Sequence, residues 1–219
     1  NTERQRQFVT DATHELKTPL TIIAENTGIL ELTLGEDNEW LNSTTTQVNR
    51  LHVLIKNLIE LARNDEAVSE EERSIFSLSD LTADTVASFE PLIITKSLKL
   101  SRNIEPCLEM LGQHEAVCRL LNILMDNAVK YCRDQGRIAV TLFRRGKGVQ
   151  LNISNTCEPL DQTQIRRFFD RFYRADSSRS LASGGYGIGL SVAKAIVLKH
   201  KGKISARYHN GEITFTVLF

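Results

Sequence analysis

Apolar residues recur at steps of three and four through the first part of the chain: Phe8, Ala12, Leu16, Leu20, Ile23, Thr27, Leu30 and Leu34. That spacing predicts one amphipathic helix. A turn signal follows at Gly35-Glu36-Asp37-Asn38, and a second stripe runs through Leu41, Val48, Leu51, Ile55, Leu58 and Ala62. The two stripes predict a helical hairpin. Two helices cannot bury both stripes alone, so a dimer closing into a four-helix bundle is the natural completion. Residues 64–74 are acidic and break the periodicity. The expected organisation is a hairpin over 1–66, a linker over 67–73 and a second domain over 74–219.

The pattern beyond the linker is mixed. Ser77 to Thr95 reads as a helix capped by Ser77 or Ser79, with Asp80 in its first turn. Ser97–Ile104 and Cys107–Leu111 alternate like short strands, and His114–Arg133 reads as a helix. Arg137–Phe143 and Gly148–Ser154 form a hairpin around Gly146-Lys147-Gly148. A glycine-rich stretch, Ser183–Gly189, opens a further helix to about His200. Lys203–Tyr208 and Glu212–Phe219 pair around Asn210-Gly211, a strong turn signal. This order predicts an α+β protein: a helical hairpin, then a sandwich of one helical layer on one sheet.

Composition narrows the function. The 219 residues include 27 Lys+Arg and 27 Asp+Glu, so the formal net charge is zero. A protein held on nucleic acid or an anionic membrane by bulk charge is thereby disfavoured. No apolar run approaches the length of a membrane helix. Residues 1–7 are polar and lead straight into the helical pattern, as in a piece cut from something longer. Cys107, Cys118, Cys132 and Cys157 lack C-x-x-C spacing, which fits a reducing compartment better than a zinc or disulfide framework. From Asp161 onward ten basic residues outnumber four acids, an excess of six that suits a polyphosphate or acidic partner.

His14 lies on the outer face of the first helix, about 170° from the centre of the apolar stripe, with Thr18 about 40° from it and Glu15 adjacent. A neutral imidazole is a nucleophile near pH 7, and a carboxylate on its other nitrogen would fix the tautomer. A lone surface histidine is ordinarily no more than solvated, but its surroundings here are specific. Phe8-Val9-Thr10-Asp11-Ala12-Thr13-His14-Glu15-Leu16-Lys17-Thr18-Pro19-Leu20 resembles the H-box of sensor histidine kinases. The resemblance implies that His14 is the phosphoacceptor, Glu15 its assisting base, and Thr18 a residue placing water for dephosphorylation of the response regulator.

Further strings resemble the same family. Asp126-Asn127-Ala128-Val129-Lys130-Tyr131 is similar to its N-box. An Asn carbonyl oxygen is a hard ligand suited to Mg2+, and a lysine three residues on meets phosphate as a point charge. Phe168-Phe169-Asp170-Arg171-Phe172-Tyr173-Arg174 resembles the F-box that opens the ATP lid, and Gly184-Gly185-Tyr186-Gly187-Ile188-Gly189-Leu190-Ser191 resembles the G2 box. A glycine-rich loop alone is weak, but glycines ahead of a helix N-terminus let backbone N–H groups approach phosphate.

The resemblance implies a Bergerat-type ATP-binding fold for the second domain. It implies ATP and Mg2+ as cofactors, with Asn127 on the metal. Asn127, Lys130, Tyr131, Asn155, Tyr173, Arg174, Gly185, Gly187, Gly189 and Leu190 would contact the nucleotide. The implied partners are a second copy of the chain and a response regulator receiver domain, with no nucleic acid. Membrane attachment would come through an absent N-terminal segment, making this the cytoplasmic part of an inner- or plasma-membrane protein.

Two positions depart from the pattern. Asn155-Thr156-Cys157-Glu158-Pro159 stands where the G1 box has an Asp and two glycines. Asn155 can accept a hydrogen bond from adenine, without charge assistance. The N-box often has a second Asn four residues before the first, and here that place is Ile123, with Asn122 beside it. The altered G1 box motivates an alternative, a dimeric scaffold or regulator phosphatase with a degenerate ATP site. An ATP-driven clamp of the gyrase or MutL type shares the nucleotide fold but lacks the hairpin and its H-box.

Overall fold

The computed structural model describes residues 20–30, 38, 41–46, 48, 51, 73–170, 173 and 188–219. The chain divides into two compact units, Asn1–Glu66 and Ala67–Phe219.

In the first unit, helix α1 covers residues 20–30 and α2 covers 41–46, with Val48 and Leu51 also helical. Asn38 caps α2: its Oδ1 accepts from the Leu41 N–H at 3.2 Å, and its carbonyl accepts from Asn42 N–H at 3.0 Å. Leu20 and Val48 form a buried cluster with Ala24 packed on it. Thr27 is buried too, but Ile23 and Leu30 of the expected stripe are exposed, as are Ile22, Ile29 and Leu51. One helix pair therefore covers only the Leu20–Ala24–Thr27 side of α1.

The second unit is built on a five-stranded sheet in the order β2-β4-β5-β7-β6. The strands are β2 (Lys99–Ile104), β4 (Arg137–Arg145), β5 (Gly148–Thr156), β6 (Lys203–His209) and β7 (Glu212–Leu218). β2 and β4 run parallel and every other pair is antiparallel. A separate two-stranded ribbon joins β1 (Ser74–Ser77) to β3 (Glu109–Gly112). The helices are α3 (Leu78–Thr95), α4 (His114–Tyr131), α5 (Gln162–Arg166) and α6 (Gly189–Lys199), and α4 packs against both α3 and α6.

Alternation creates the core. Ile138, Val140 and Leu142 of β4, Val149, Leu151 and Ile153 of β5, and Ile213, Phe215 and Val217 of β7 are buried on one sheet face. Helix α4 adds Val117, Leu120, Leu121, Leu124, Met125, Ala128 and Val129. On the other row of the strands Asn152 donates to Thr141 Oγ1 at 2.9 Å and accepts from Thr216 at 3.0 Å. The expected helical layer lies on the five-stranded sheet, and the β1–β3 ribbon is an addition to the expected sandwich.

Several boundaries differ from expectation. Ser74–Ser77 form β1, a strand absent from the expected pattern, because the ribbon pairs Ser74 with Gly112 and Ile75 with Leu111. Ser97 is not a strand residue: its φ is +53°, its N–H bonds Ile94 O, and Leu98 N–H bonds Ile93 O, closing α3 before β2 starts. The short α5 escapes the periodicity because it has one buried residue, Ile165; its marker is the capping box of Asp161 and Gln164. Ser77 is the N-cap of α3, accepting from Asp80 N–H, while Ser79 donates to Glu105 O at 2.6 Å.

His200, just beyond α6, is held at both ring nitrogens. Nε2 accepts from Gln113 N–H at 3.0 Å, so Nδ1 carries the proton and donates to Ile196 O at 2.8 Å. A Cβ on Gly112 would lie 2.7 Å from this ring. Because the ring cannot retreat without breaking two hydrogen bonds, Gly112→Ala is expected to destabilise the second unit by about 1–3 kcal/mol, read from urea unfolding.

Glu212 of β7 holds Arg137 of β4 at 2.9 Å, and the hydrogen bond from Arg137 keeps its carboxyl below the usual range. A depressed carboxyl stabilises the fold above its unfolded pKa and loses that contribution as pH falls through the folded value. With the pair partly solvated, the contribution is at most about 1 kcal/mol. Glu212→Gln is expected to lower stability at pH 7 by up to that amount and to flatten the acid limb of a stability–pH curve.

Candidate functional site

Helix α4 supplies one wall of the site. Its apolar face is buried in the core, which turns the flank bearing Asn127 and Lys130 outward; both are half-buried. Tyr131 is exposed at the helix end, with the Lys130 ammonium 5.4 Å from its ring centroid. Asn122 is exposed and donates to Cys118 O at 2.8 Å within its own helix, so it does not stand in for the missing second Asn. Ile123 takes the half-buried place.

The end of β5 is fastened to the end of α4. Arg133 N–H donates to Thr156 O at 3.1 Å, and Arg137 N–H donates to Thr156 Oγ1 at 2.9 Å. The preceding residue, Asn155, is completely buried and sits in register between Ile138 and Ile213. Its Nδ2 donates to Thr156 O at 3.2 Å, which fixes the amide orientation. Its Oδ1 has no hydrogen-bond partner among the described residues. A buried carbonyl oxygen without a donor costs about 1–3 kcal/mol. Thr156 was not singled out from sequence; the signal was two consecutive buried polar residues, Ser154 and Asn155, ending an alternating strand. Cys157 is buried next to it, and burial pushes its thiol up, which makes it a packing residue and a poor nucleophile.

A second wall is α6. Gly189 begins it, Leu190 is half-buried, and Ile188 ahead of them provides no side-chain cap. The first-turn N–H groups are thus not satisfied by a capping side chain, and the helix dipole favours an anion there. A Cβ on Gly189 would meet Ile123 Cγ2 at 3.5 Å, so this helix start lies beside the middle of α4 and glycine is not demanded by packing.

Beyond α5, the Phe168 and Phe169 rings both lie 6.4 Å from Phe215 of the core. Tyr173 is half-buried beside Phe168, with the Arg167 guanidinium 4.3 Å from its ring centroid. These contacts anchor the segment that precedes residue 174. Asn127 and Lys130 lie on α4, Gly189 and Leu190 open α6 beside Ile123 of α4, and Asn155 precedes Thr156, which accepts from Arg133 just past α4. His14, Glu15, Thr18, Arg174, Gly185 and Gly187 lie outside the described residues. Among the described residues no cluster of three His, Cys, Asp or Glu would hold a metal. A cation here would instead take an amide oxygen plus phosphate and water oxygens, a donor set that suits Mg2+.

Two families match the chain. The His Kinase A (phospho-acceptor) domain matches residues 4–67, and the histidine kinase-, DNA gyrase B-, and HSP90-like ATPase family matches residues 112–219. The sensor protein DltS of Streptococcus agalactiae is 33% identical over 216 residues, 98% of this chain and 54% of DltS. The signal transduction histidine-protein kinase ArlS of Staphylococcus haemolyticus is 30% identical over 99% of this chain and 49% of its own length. BaeS of Escherichia coli, of the same description, is 28% identical over 99% and 47%. The chain spans about half the length of these curated relatives. In fold it is similar to full-length ShkA in complex with AMPPNP, with a TM-score of 0.81 at 18% identity over 97% of this chain and 45% of that one. Acinetobacter baumannii AdeS superposes with a TM-score of 0.68 at 20% identity, covering 94% and 96%. With a phospho-acceptor family over its first part, an ATPase family over its second and named sensor kinases aligned along nearly all of it, the chain belongs to the sensor histidine kinases of two-component systems.

Proposed function

We propose that this chain takes the γ-phosphoryl group of ATP onto His14 and passes it to an aspartate on a response regulator receiver domain. The observation that carries the nucleotide reading is the buried, unpartnered Oδ1 of Asn155. It would accept from an adenine amino group, next to Thr156, which accepts from Arg133 just past α4, the helix whose flank bears Asn127 and Lys130. Lys130 would meet phosphate as a point charge, and the start of α6 would present N–H groups to it. Asn127 would hold Mg2+, which when bound neutralises phosphate charge. Tyr173 and Arg174 would belong to the lid, and Gly185 and Gly187 to its glycine-rich end. Phosphoryl transfer of this kind is mainly positioning and charge neutralisation. His14 supplies the attacking nitrogen as ADP leaves, Glu15 stabilises the imidazolium that develops, and Thr18 orients the water that hydrolyses the regulator's aspartyl phosphate to inorganic phosphate.

The hairpin over 1–66 would serve dimerisation and phosphotransfer, with residues 67–73 linking it to the catalytic region over 74–219. Exposure of Ile22, Ile23, Ile29 and Leu30 supports a homodimer, because a second copy would remove that apolar surface from water. Among the described residues no helix is long and apolar enough to cross a bilayer.

Incubation with γ-labelled ATP and Mg2+ is expected to place acid-labile label on the chain, and none on His14→Gln or Asn127→Ala. A folded, dimeric parent that takes up no label would point instead to a scaffold or regulator phosphatase. Asn155→Ala removes the base acceptor without breaking any bond to Oδ1. ATP affinity is expected to fall about 5- to 150-fold by titration calorimetry, equivalent to about 1–3 kcal/mol.

A further inference from the structure

The formal charge of the chain is zero, yet the five-stranded sheet does not share it evenly. Register sorts the residues of each strand into a row facing the helices and a row facing away. The row facing away carries five cations: Lys99 on β2, Arg137 and Arg145 on β4, and Lys203 and Arg207 on β6. All five are exposed. The one carboxylate of that row is Glu212, which Arg137 holds at 2.9 Å. Arg145 bonds a neutral group, Gln150 Oε1, at 2.6 Å, so its charge is not compensated. Among the described residues Lys99, Arg145, Lys203 and Arg207 enter no ion pair.

The cations stand on both edge strands, β2 and β6, which lie four strand spacings or about 19 Å apart. The floor between them is polar and satisfied within itself. Gln150 donates to Asn152 at 2.8 Å, Asn152 to Thr141 at 2.9 Å, and Thr216 to Asn152 at 3.0 Å. This distribution restricts the partner. A stable protein interface has an apolar, desolvated centre, whereas here the apolar Phe143 and Leu218 sit toward one end of the row. Single-stranded nucleic acid is held by a series of stacking rings, and Phe143 is the one Phe, Tyr or Trp of the row. An anionic headgroup surface needs neither feature. It is extended, and each Lys or Arg brought near it strengthens binding about fivefold.

We propose that the outward face of the five-stranded sheet docks on an anionic lipid surface. A chain of zero net charge is not drawn to such a surface from a distance, because screening confines the attraction to about 8–10 Å. Only the approach that turns this face to the headgroups gains, so the face sets an orientation as well as an affinity. The nucleotide residues of the ATP reading lie on α4, α6 and the inward end of β5, so the two readings stand or fall separately.

The test sediments the full chain with vesicles of equal parts phosphatidylglycerol and phosphatidylcholine, and with vesicles of phosphatidylcholine alone. Binding to the anionic vesicles only, lost as salt rises, is expected. Lys203→Gln combined with Arg207→Gln is expected to weaken it about 25-fold, and Glu212→Gln to strengthen it about fivefold. Lys194→Gln removes an exposed cation of α6, outside the sheet, and is expected to change binding less than about twofold. A folded parent that ignores anionic vesicles overturns the proposal. So does a Lys194→Gln loss as large as that of the double variant, or a Glu212→Gln chain that binds no tighter. Tighter binding of poly-glutamate or of a single-stranded oligonucleotide than of vesicles also overturns it, and gives the face to an acidic protein or a nucleic acid.

Discussion

The attachment of Thr156 to the end of α4 sets the scale of everything else in the second unit. Its carbonyl accepts from Arg133, two residues past α4, and its hydroxyl from Arg137 at the start of β4, so the end of β5 is held close behind α4. That point holds Asn155, whose amide is oriented by the same Thr156 carbonyl. The spacing between Asn155 and the outward flank of α4 is then set by a length of helix, at about 1.5 Å per residue. In the proposed ATP reading, that helix length would set the distance from base to phosphate.

The packing that holds this helix in place is ordinary. The inward rows of β4, β5 and β7 and the apolar face of α4 bury one another and leave the polar flank of α4 toward the site. Asn155 is the exception, a polar residue in an inward row between two isoleucines. Its buried, unpaired oxygen is a local cost that a ligand donor would relieve.

Much of this was legible in the residue order. The cap at Ser77, the hairpin around Asn210-Gly211 and the long α4 follow from local signals, and each forms within a residue or two of expectation. The failures share a physical cause. β1 is four residues long and has no reason to be a strand except its partner β3, far along the chain. Ser97 sits in an alternating segment, yet the closing hydrogen bonds of α3 claim it first. Ile23 and Leu30 have the period of a buried stripe, but a period states that a face is apolar without stating what covers it.

By itself, the sequence determined the kind of chemistry. A histidine followed by Glu-Leu-Lys-Thr-Pro, an Asn and a Lys three apart on a helix, and a glycine-rich helix start are choices of functional group, written residue by residue. Only the tertiary structure decided how the groups stand to one another in the nucleotide unit. It turned Asn122 into a self-satisfied surface residue, put Ile123 against the start of α6, and left the oxygen of Asn155 without a donor. The reason is that periodicity fixes a residue's azimuth on its own helix or strand, whereas burial and hydrogen-bond partners come from segments distant in the chain, which no local pattern encodes.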